Sequence, residues 1–450
     1  MTPLTRRAAE AVASSETVDE FDVTNLLRSL VEKSLVVADH DGVALRFRLL
    51  ETIRQHAAQE LSMAGGETKV IEARDRHATH FEAMATMAGR EFVGPRQARW
   101  LKQLDLEMDN YRVMLTHLAS DPARAREIIR VVTSLEKYFQ SRGYIEVIPY
   151  SLSALDDVGE TRDIEIVSAW VAASILIGWL FTSDWAEVAI SNDCAARGLE
   201  LARELGERDT GARALGLLAL LANYNQDFVA SVAYIEEALD LVSTSDDARL
   251  KVEILSWSMF YRIDIESEMV ADATKLQDAM LIATRRGALA ASYVMQQRFA
   301  EASTLWEAAI ASFEELGAHE LLSGPRSNLL LGRCHLRAFD EALPLMRSCL
   351  RAHRRTGFRR EIGDLIFSAA CIASARGDGV RAATLHGAAD ALREDAYKTG
   401  QLYKDDSEAV LEEESTARAR ELLGDDTVER AYVSGLALSN AEACDLGLQL

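Results

Sequence analysis

The sequence Arg298-Phe299-Ala300-Glu301-Ala302 returns in similar form at Ala338-Phe339-Asp340-Glu341-Ala342. In both, a phenylalanine is followed three positions later by an alanine and ten positions later by another slim residue, Ala309 or Cys349. Positions three and ten are seven residues apart, so on a helix they share one face. Small side chains on that face let a preceding helix pack closely, which is typical of tetratricopeptide-like helical hairpins.

The same spacing recurs through the second half of the chain and predicts its architecture. It occurs at Trp185/Val188/Ala195, Phe228/Ser231/Ala238, Phe299/Ala302/Ala309, Phe339/Ala342/Cys349 and Gly379/Ala382/Ala389. The gap between Phe228 and Phe299 is about two repeats long, which predicts a degenerate repeat near residues 245–290. The leading aromatic residue is expected to fill the turn between the two helices. Six prolines and 7% aromatic residues favour helix throughout, so we predict an all-α superhelical solenoid over residues 166–400.

The β signal of the chain lies in residues 21–61. An apolar helix ends at Lys33-Ser34-Leu35-Val36, and Asp41-Gly42 is a two-residue hairpin signal. The strand Leu45-Arg46-Phe47-Arg48-Leu49 then leads into a second helix. Helix, hairpin and helix form the back half of a winged helix. We therefore predict a partial winged-helix domain with one small β-hairpin over residues 1–62.

Charge argues against general binding of nucleic acid. The chain has 49 Lys and Arg against 71 Asp and Glu, a formal net charge of −22. Affinity for nucleic acid comes largely from cation–phosphate contacts, so any DNA contact would have to be local. The excess of negative charge is greatest in residues 401–450, which we predict to be acidic capping helices. Residues 63–165 are predicted to be a helical connector.

The cysteines and the apolar runs indicate a cytoplasmic protein. The five cysteines form no Cys-x-x-Cys pair, so reduced and mostly buried thiols are expected. No signal peptide pattern opens the chain. The uncharged stretch 166–183 falls just short of the ~20 apolar residues that span a bilayer. A helix buried in a helical stack is the favoured interpretation, and no membrane partner is expected.

Several motifs occur in an order that resembles one bacterial family. They are Leu49-Leu50-Glu51-Thr52-Ile53-Arg54, Arg74-Asp75-Arg76-His77, Trp100-Leu101, Asp109-Asn110-Tyr111-Arg112, Leu385-His386-Gly387-Ala388-Ala389 and Gly435-Leu436-Ala437-Leu438. Together with the partial winged helix and the repeats, they resemble the C-terminal part of LuxR/AfsR-type STAND ATPase transcriptional regulators. The family's nucleotide-binding and effector domains are expected to be missing, since no Gly-x-x-x-x-Gly-Lys-Ser/Thr sequence is present.

This resemblance implies a non-catalytic sensor or protein-interaction arm of a STAND-type signalling or transcriptional regulator. Its solenoid groove would bind a partner protein, a peptide or a small effector, and it could work with a separately encoded ATPase or effector. The alternative is a transcriptional regulator that contacts DNA through the winged-helix remnant. The candidate DNA-contacting residues are Arg28, Lys33, Arg46 and Arg48, which flank or form the hairpin. Interleaved acidic residues make DNA the less favoured partner.

One strong basic run is the candidate partner-binding site. It consists of Arg347, Arg351, Arg354, Arg355, Arg359 and Arg360. The first four share a helical face and could bind an anion or an acidic peptide. The alternative is a solvated outer face that pairs with the acidic C-terminal region, including Glu408 and Glu412–Glu414.

No residues with catalytic or cofactor-binding spacing were found. His77 and His80 are three positions apart on a predicted helix, but no third metal ligand is suggested nearby, so a solvated helix face is expected. Gly377-Asp378-Gly379 matches a dinucleotide-binding fingerprint in the spacing of its glycines alone. The preceding residues predict a helix rather than the required strand. We expect no enzyme activity, no metal and no cofactor.

Overall fold

The structure is a computed structural model that describes residues 4–15, 18–40, 44–180, 185–225, 227–257, 262–356, 359–398 and 406–450. Within these ranges it describes side chains except those of 64–65, 179–180, 185–187, 224, 353–356, 359–361, 394–398 and 406–407. The chain divides into two compact units. Unit 1 comprises Met1–Gln140 and Tyr144–Leu176, and unit 2 comprises Ser141–Gly143 and Ile177–Leu450.

The predicted all-α fold class with a small β element is confirmed. The N-terminal elements are β1 (Leu4–Thr5), α1 (Arg6–Ala13), α2 (Glu20–Glu32), β2 (Val36–His40), β3 (Leu45–Leu49) and α3 (Glu51–Glu91). They are followed by α4 (Gln97–Leu118), α5 (Ala125–Ser134), α6 (Glu136–Arg142), α7 (Ile148–Asp157) and α8 (Ile164–Leu180). Single 3-10 turns occur at Pro122–Arg124, Ile145–Val147 and His319–Leu321.

The β element is larger than the predicted hairpin. It is an antiparallel three-stranded sheet with the order β1-β3-β2, because Leu4 pairs with Phe47 and Thr5 with Arg46. The predicted hairpin of these two strands is present, with Val36 opposite Leu49 and His40 opposite Leu45. This register leaves residues 41–44 between the paired strand ends, rather than the two residues that the Asp41-Gly42 signal predicted. The Asp41-Gly42 turn lies outside the described residues. The sequence did not reveal β1 because a two-residue strand carries no alternation of apolar and polar residues.

Helix α3 begins directly after β3, where the sequence pattern predicted a helix, and is interrupted at a single glycine. Gly66 has φ 66° and ψ −172°, so α3 consists of two helical segments on either side of it. Glycine tolerates this left-handed conformation because it has no Cβ. The second segment lies in the part of the chain that was predicted to be a helical connector. A turn at Gly94, with φ 91°, separates it from α4.

Helix α8 is buried, as the favoured interpretation of residues 166–183 predicted. Val167, Ala172 and Leu176 in unit 1 have no exposed surface. Apolar residues lie on all sides of this helix, which is typical of a helix surrounded by other protein elements. Across the described part of the chain, no helix combines the length and the hydrophobicity needed to cross a membrane.

Unit 2 is a solenoid of helical hairpins that follows α9 (Trp185–Leu205). The hairpins are α10 (Arg208–Tyr224) with α11 (Phe228–Val242), α12 (Ala248–Trp257) with α13 (Ile263–Lys275), α14 (Ala279–Val294) with α15 (Phe299–Glu315), α16 (Ser323–His335) with α17 (Phe339–Thr356), and α18 (Arg359–Ala375) with α19 (Gly379–Lys398). Each predicted leading residue, from Trp185 to Gly379, is the first residue of its helix. The repeat pattern therefore predicted the helix starts correctly.

The slim residues at positions three and ten are buried, as expected for residues that let a neighbouring helix pack closely. Ser231, Ala238, Ala302, Ala309, Ala342, Cys349, Ala382 and Ala389 are all buried. The predicted role of the leading aromatic residue is wrong for Phe228, which is 62% exposed. Phe299 instead stacks on His335 of α16, with ring centroids 4.0 Å apart and an interplanar angle of 5°. Phe299 thus contacts the next hairpin, whereas Phe339 packs against a cluster that includes Leu330 and Cys334 of its own hairpin.

The hairpin turns contain residues in the left-handed region. Gln297, Arg337 and Gly377 have φ values of 58°, 59° and 81°, each just before the second helix of its hairpin. Gly377 therefore belongs to the turn between α18 and α19, and Gly379 begins α19, so a helix precedes these glycines where a dinucleotide fingerprint needs a strand. Arg337 donates from Nη1 to the carbonyls of Cys334 and His335, at 3.1 and 3.4 Å, which satisfies two carbonyls at the end of α16.

Three C-terminal helices close unit 2. They are α20 (Asp406–Leu423), α21 (Asp425–Leu436) and α22 (Asn440–Leu448). A capping box of Ser439 and Glu442 begins α22. Helices α19 and α21 cross at two glycines. A Cβ added at Gly387 would lie 2.1 Å from the Tyr432 carbonyl oxygen, and one added at Gly435 would lie 2.0 Å from that of Thr384. The absence of side chains at these glycines permits this close approach.

All five cysteines are buried and none is joined in a disulfide, as their spacing predicted. Cys334, Cys349, Cys371 and Cys444 belong to one apolar cluster at the C-terminal end of unit 2. Burial raises the pKa of Cys334 to about 12 and that of Cys349 to about 11. The thiolate is the reactive form, so these thiols should be inert in the folded protein.

We therefore expect the native protein to give no rapid reaction with a thiol reagent such as Ellman's reagent at neutral pH. After unfolding in guanidinium chloride, all five thiols should react, which provides the internal control. The absorbance of the released chromophore measures both. A thiol that reacts rapidly in native protein would contradict the buried arrangement.

Candidate interaction surfaces and a buried polar junction

The structure separates the four candidate DNA-contacting residues. Arg28 on α2, Lys33 after it and Arg48 on β3 are exposed. Arg46 is different, because only 7% of this residue is exposed. Side chains alternate along β3, so Arg46 and Arg48 lie on the same face of the sheet. Helix α4 covers that face at Arg46, whereas Arg48 stays exposed. The prediction that Arg46 contacts DNA is therefore corrected, since its guanidinium is held inside unit 1.

Arg46 makes a bidentate ion pair with Glu107 of α4. Nη1 donates to Oε1 of Glu107 at 2.6 Å, and Nη2 donates to Oε2 at 3.1 Å. Nη2 also donates to the Leu106 carbonyl at 3.0 Å. Paired donors of a guanidinium match a carboxylate in both distance and direction, which makes this one of the strong classes of hydrogen bond. The contact fixes the central strand of the sheet to α4.

The ion pair continues into α3 through two further side chains. Nδ2 of Asn110 donates to Oε2 of Glu107 at 2.6 Å, and Oδ1 of Asn110 lies 3.3 Å from Nε2 of His77. With the amide nitrogen of Asn110 directed at Glu107, its amide oxygen is left to accept a hydrogen bond from the Nε2–H of His77. We call Arg46, Glu107, Asn110 and His77 the buried polar junction. It connects β3, α4 and α3.

His77 is a correction to the sequence analysis. It was expected on a solvated helix face, but it is buried beside Phe81, with ring centroids 4.6 Å apart. Burial lowers the pKa of His77, because the charged imidazolium loses its hydration. The motifs Arg74–His77 and Asp109–Arg112 supply two of the four junction residues. The contact between Arg46 and Glu107, on which the junction depends, could not be predicted from sequence spacing, since the two residues are 61 positions apart.

The basic run is described only in part. Arg351 of α17 is exposed, and Arg347 is half-buried. Among the described residues, Nε of Arg347 is buried and has no hydrogen-bond partner. The side chains of Arg354, Arg355, Arg359 and Arg360 lie outside the described residues. In the acidic C-terminal region, Glu408 lies 3.5 Å from Arg393, and Glu414 pairs with Arg337. Pairing of the basic run with this region stays a prediction.

Potential metal ligands are scattered through the described ranges. Within those ranges, no group of three or more His, Cys, Asp or Glu side chains is placed to hold a metal ion. His77, one of the two histidines considered for such a site, is hydrogen-bonded to Asn110 instead.

Comparison by sequence finds regulatory proteins. No protein-family profile matches the chain. Proteins of Mycobacterium tuberculosis and Mycobacterium bovis, provisionally named HTH-type transcriptional regulators, are 30% identical to it over 257 residues. The match covers 56% of this chain and 28% of each relative. The chain therefore spans little more than a quarter of the length of these relatives.

Comparison by structure finds helical proteins at low identity. A STAND protein with a tetratricopeptide repeat sensor from Pyrococcus horikoshii is 12% identical, with a TM-score of 0.47 over 92% of this chain and 63% of that one. A Rap protein complexed with competence and sporulation factor is 14% identical, with a TM-score of 0.45 over 79% of this chain and 99% of that one. Likenesses of this size do not by themselves indicate a shared function.

Proposed function

We propose that this chain is a non-catalytic arm of a signalling or transcriptional regulator that binds a partner protein, a peptide or a small effector through unit 2. The observation that carries this proposal is the repeated hairpin. In successive second helices, the same two positions are buried against neighbouring helices, which holds the helices in register. Stacked hairpins of this kind present extended surfaces suited to ligand binding. The sequence match to mycobacterial HTH-type regulators supports a regulatory setting.

We further propose that the arm belongs to a LuxR/AfsR-type STAND regulator. In this proposal, the sheet and helices α1 to α3 are the partial winged helix. The buried polar junction supports it, because His77 and Asn110 come from motifs that resemble this family. The chain would act in the cytoplasm, with an ATPase or effector supplied elsewhere. Its exposed basic residue Arg351, with the rest of the basic run, would favour an acidic partner.

We expect the full chain to bind a fluorescent acidic peptide of about 15 residues more tightly than a DNA duplex of about 20 base pairs, each at about 50 mM KCl. Replacing the exposed arginine, Arg351→Glu, should weaken peptide binding about tenfold by adding repulsion at the basic run. Fluorescence anisotropy measures all three affinities. Arg203→Glu on α9 is the matched control, because Arg203 is exposed but lies outside the basic run.

The DNA alternative is tested with Arg28→Glu/Arg48→Glu, which leaves the buried Arg46 in place. Duplex binding that falls steeply with salt and is lost in this double variant would favour DNA contact through the hairpin and contradict the peptide proposal. Peptide binding that is unchanged by Arg351→Glu would remove the basic run from the proposed site. ATP hydrolysis by the purified chain would contradict a non-catalytic role.

A further inference from the structure

Two histidines of α3 lie against one buried phenylalanine of unit 1. The ring centroid of His77 is 4.6 Å from that of Phe81, and the ring centroid of His80 is 5.1 Å from it. Phe81 has no exposed surface, and its ring meets Tyr111 of α4 edge-on at 5.6 Å. The two imidazoles therefore flank a core residue that joins α3 to α4. We call His77 and His80 the histidine pair.

His77 connects this contact to the sheet. It is 6% exposed, and its Nε2 lies 3.3 Å from Oδ1 of Asn110 in the buried polar junction. The carboxylate at the other end of Asn110, that of Glu107, is already bound by both Nη atoms of Arg46. A proton added to His77 would therefore bring a further positive charge into the junction without an additional acidic partner.

His80 lies close to α1 and lacks a polar partner. Among the described residues, its Nε2 is buried and has no hydrogen-bond partner. The positive charge of Arg7 on α1 acts on His80 and opposes its protonation. One turn earlier on α3, Arg76 donates to the Val12 carbonyl at 2.8 Å and so holds the end of α1. A charged His80 would thus lie among cations at the contact between α1 and α3.

The acidic groups on the helices around the pair are committed to other partners. Asp75 of α3 accepts from Nε2 of His117 at 2.8 Å. On α1, the buried Glu10 accepts a hydrogen bond from α2 at 2.6 Å. Further ion pairs along this part of unit 1 are Asp75–Arg124, Arg124–Glu127 and Glu82–Arg130. The site therefore suits two neutral imidazoles better than two charged ones.

Burial is the largest cause that opposes protonation of both histidines. It lowers the pKa of His77 and that of His80, because an imidazolium ion loses its hydration there. The unfolded chain binds these protons at the ordinary histidine pKa of about 6.5. The stability that the neutral pair contributes is therefore complete above that pH. It is lost as the pH falls from there through the lowered pKa values.

We propose that the histidine pair makes the attachment of α1 and the sheet to α3 and α4 sensitive to pH. At neutral pH both imidazoles are uncharged, and the contacts of Phe81 and the polar junction hold these elements together. In mildly acidic solution, protonation of the pair favours conformations in which these contacts are broken, because the imidazolium ions are hydrated there. This inference concerns unit 1 and holds whichever partner binds unit 2.

Hydrogen exchange of the full chain, read by mass spectrometry at several pH values, tests the histidine pair. Each exchange rate is first corrected for the direct effect of pH on amide exchange. The equilibrium constant for opening of α1 and of α3 after Gly66 should then rise at least about tenfold between about pH 7 and about pH 5.5. The limit for two such groups is about hundredfold per pH unit. A constant that does not rise would overturn the proposal.

Two variants make the test specific. His77→Gln/His80→Gln removes both titrating groups, and a glutamine at 77 can still donate to Asn110. Its opening constant should change less than about threefold over the same pH range. His56→Gln is the matched control, because His56 is an exposed histidine on the same helix, and this variant should keep the pH dependence of the parent. A double variant with the parent's pH dependence would overturn the proposal.

Proton NMR of the parent protein gives a readout that does not depend on the double variant. The imidazole Cε1–H signals of His77 and His80, assigned with the two single glutamine variants, should titrate at lower pH in the native protein than in protein unfolded in urea. Signals that titrate at the same pH in both states would show that the folded protein accepts the charged pair, and would contradict the proposal.

Discussion

Replacing Glu107 by alanine is expected to lower the free energy of unfolding of unit 1 by about 3–5 kcal/mol. Glu107 is 1% exposed and accepts hydrogen bonds from Arg46 and Asn110. Without it, the buried guanidinium of Arg46 loses its bidentate carboxylate partner. An uncompensated buried charge is among the few single changes that cost this much. The sheet should detach from α4 before the rest of the unit unfolds.

Urea denaturation followed by circular dichroism measures this loss. Asp109→Ala is the matched control two positions along α4, because Asp109 is exposed and pairs with Arg112, which also contacts Glu146. Its effect should stay below about 1 kcal/mol, the range for exposed pairs. Arg46→Met/Glu107→Leu should recover most of the stability, since apolar residues can replace a buried pair. A single variant as stable as the parent would show that the junction does not hold the sheet.

Replacing Gly387 by alanine is expected to destabilise unit 2 by about 3 kcal/mol or more. The new methyl group would lie 2.1 Å from the carbonyl oxygen of Tyr432 and 2.9 Å from its carbonyl carbon. Both neighbours are backbone atoms of α21, so relief requires the two helices to separate. Separation would uncover apolar residues such as Ala383 and Val428 that are buried between them. The change in melting temperature and in urea midpoint reports the loss.

Gly287→Ala provides the control for Gly387→Ala. Gly287 lies inside α14, and a Cβ added there meets no atom within 4 Å. Alanine is the better helix former, so this variant should gain about 0.5–1 kcal/mol. The same substitution thus has opposite expected signs at two helical glycines of one unit. Equal effects at both positions would contradict the close crossing of α19 and α21.

The sequence predicted those features of the fold that depend on local spacing. Slim residues seven positions apart located the second helices of the hairpins, because a helix brings such positions to one face. Asp41-Gly42 and the strand at Leu45–Leu49 predicted the hairpin in the same way, although the observed register, with His40 opposite Leu45, is not that of a two-residue turn. The third strand escaped prediction because Leu4 and Thr5 become a strand only by pairing with β3.

The candidate sites were less predictable, since they depend on partners distant in the sequence. Arg46 looked like a surface cation because its neighbours in β3 and β2 include charged residues. Its burial follows from Glu107, which approaches only in the folded unit. Glu266 of α13, which is only 3% exposed, was not predicted to be buried because a glutamate breaks the slim-residue pattern. The part of the repeat pattern that remains in α13 is its first residue, Ile263, with the slim residue Ala273 ten positions later.

The hairpin turns have a consequence for how this chain can vary in length. Helix α9 begins at 185, and the second helices of the hairpins begin at 228, 263, 299, 339 and 379, so successive repeats differ in size. The spacing of the buried positions within each second helix is nevertheless constant. In the turn before α17, Arg337 donates a hydrogen bond to a carbonyl at the end of α16, so the turn itself supplies the partner that this helix end needs. Such a turn does not require a fixed repeat length. Insertions and deletions are therefore tolerable between the packing surfaces but not within them.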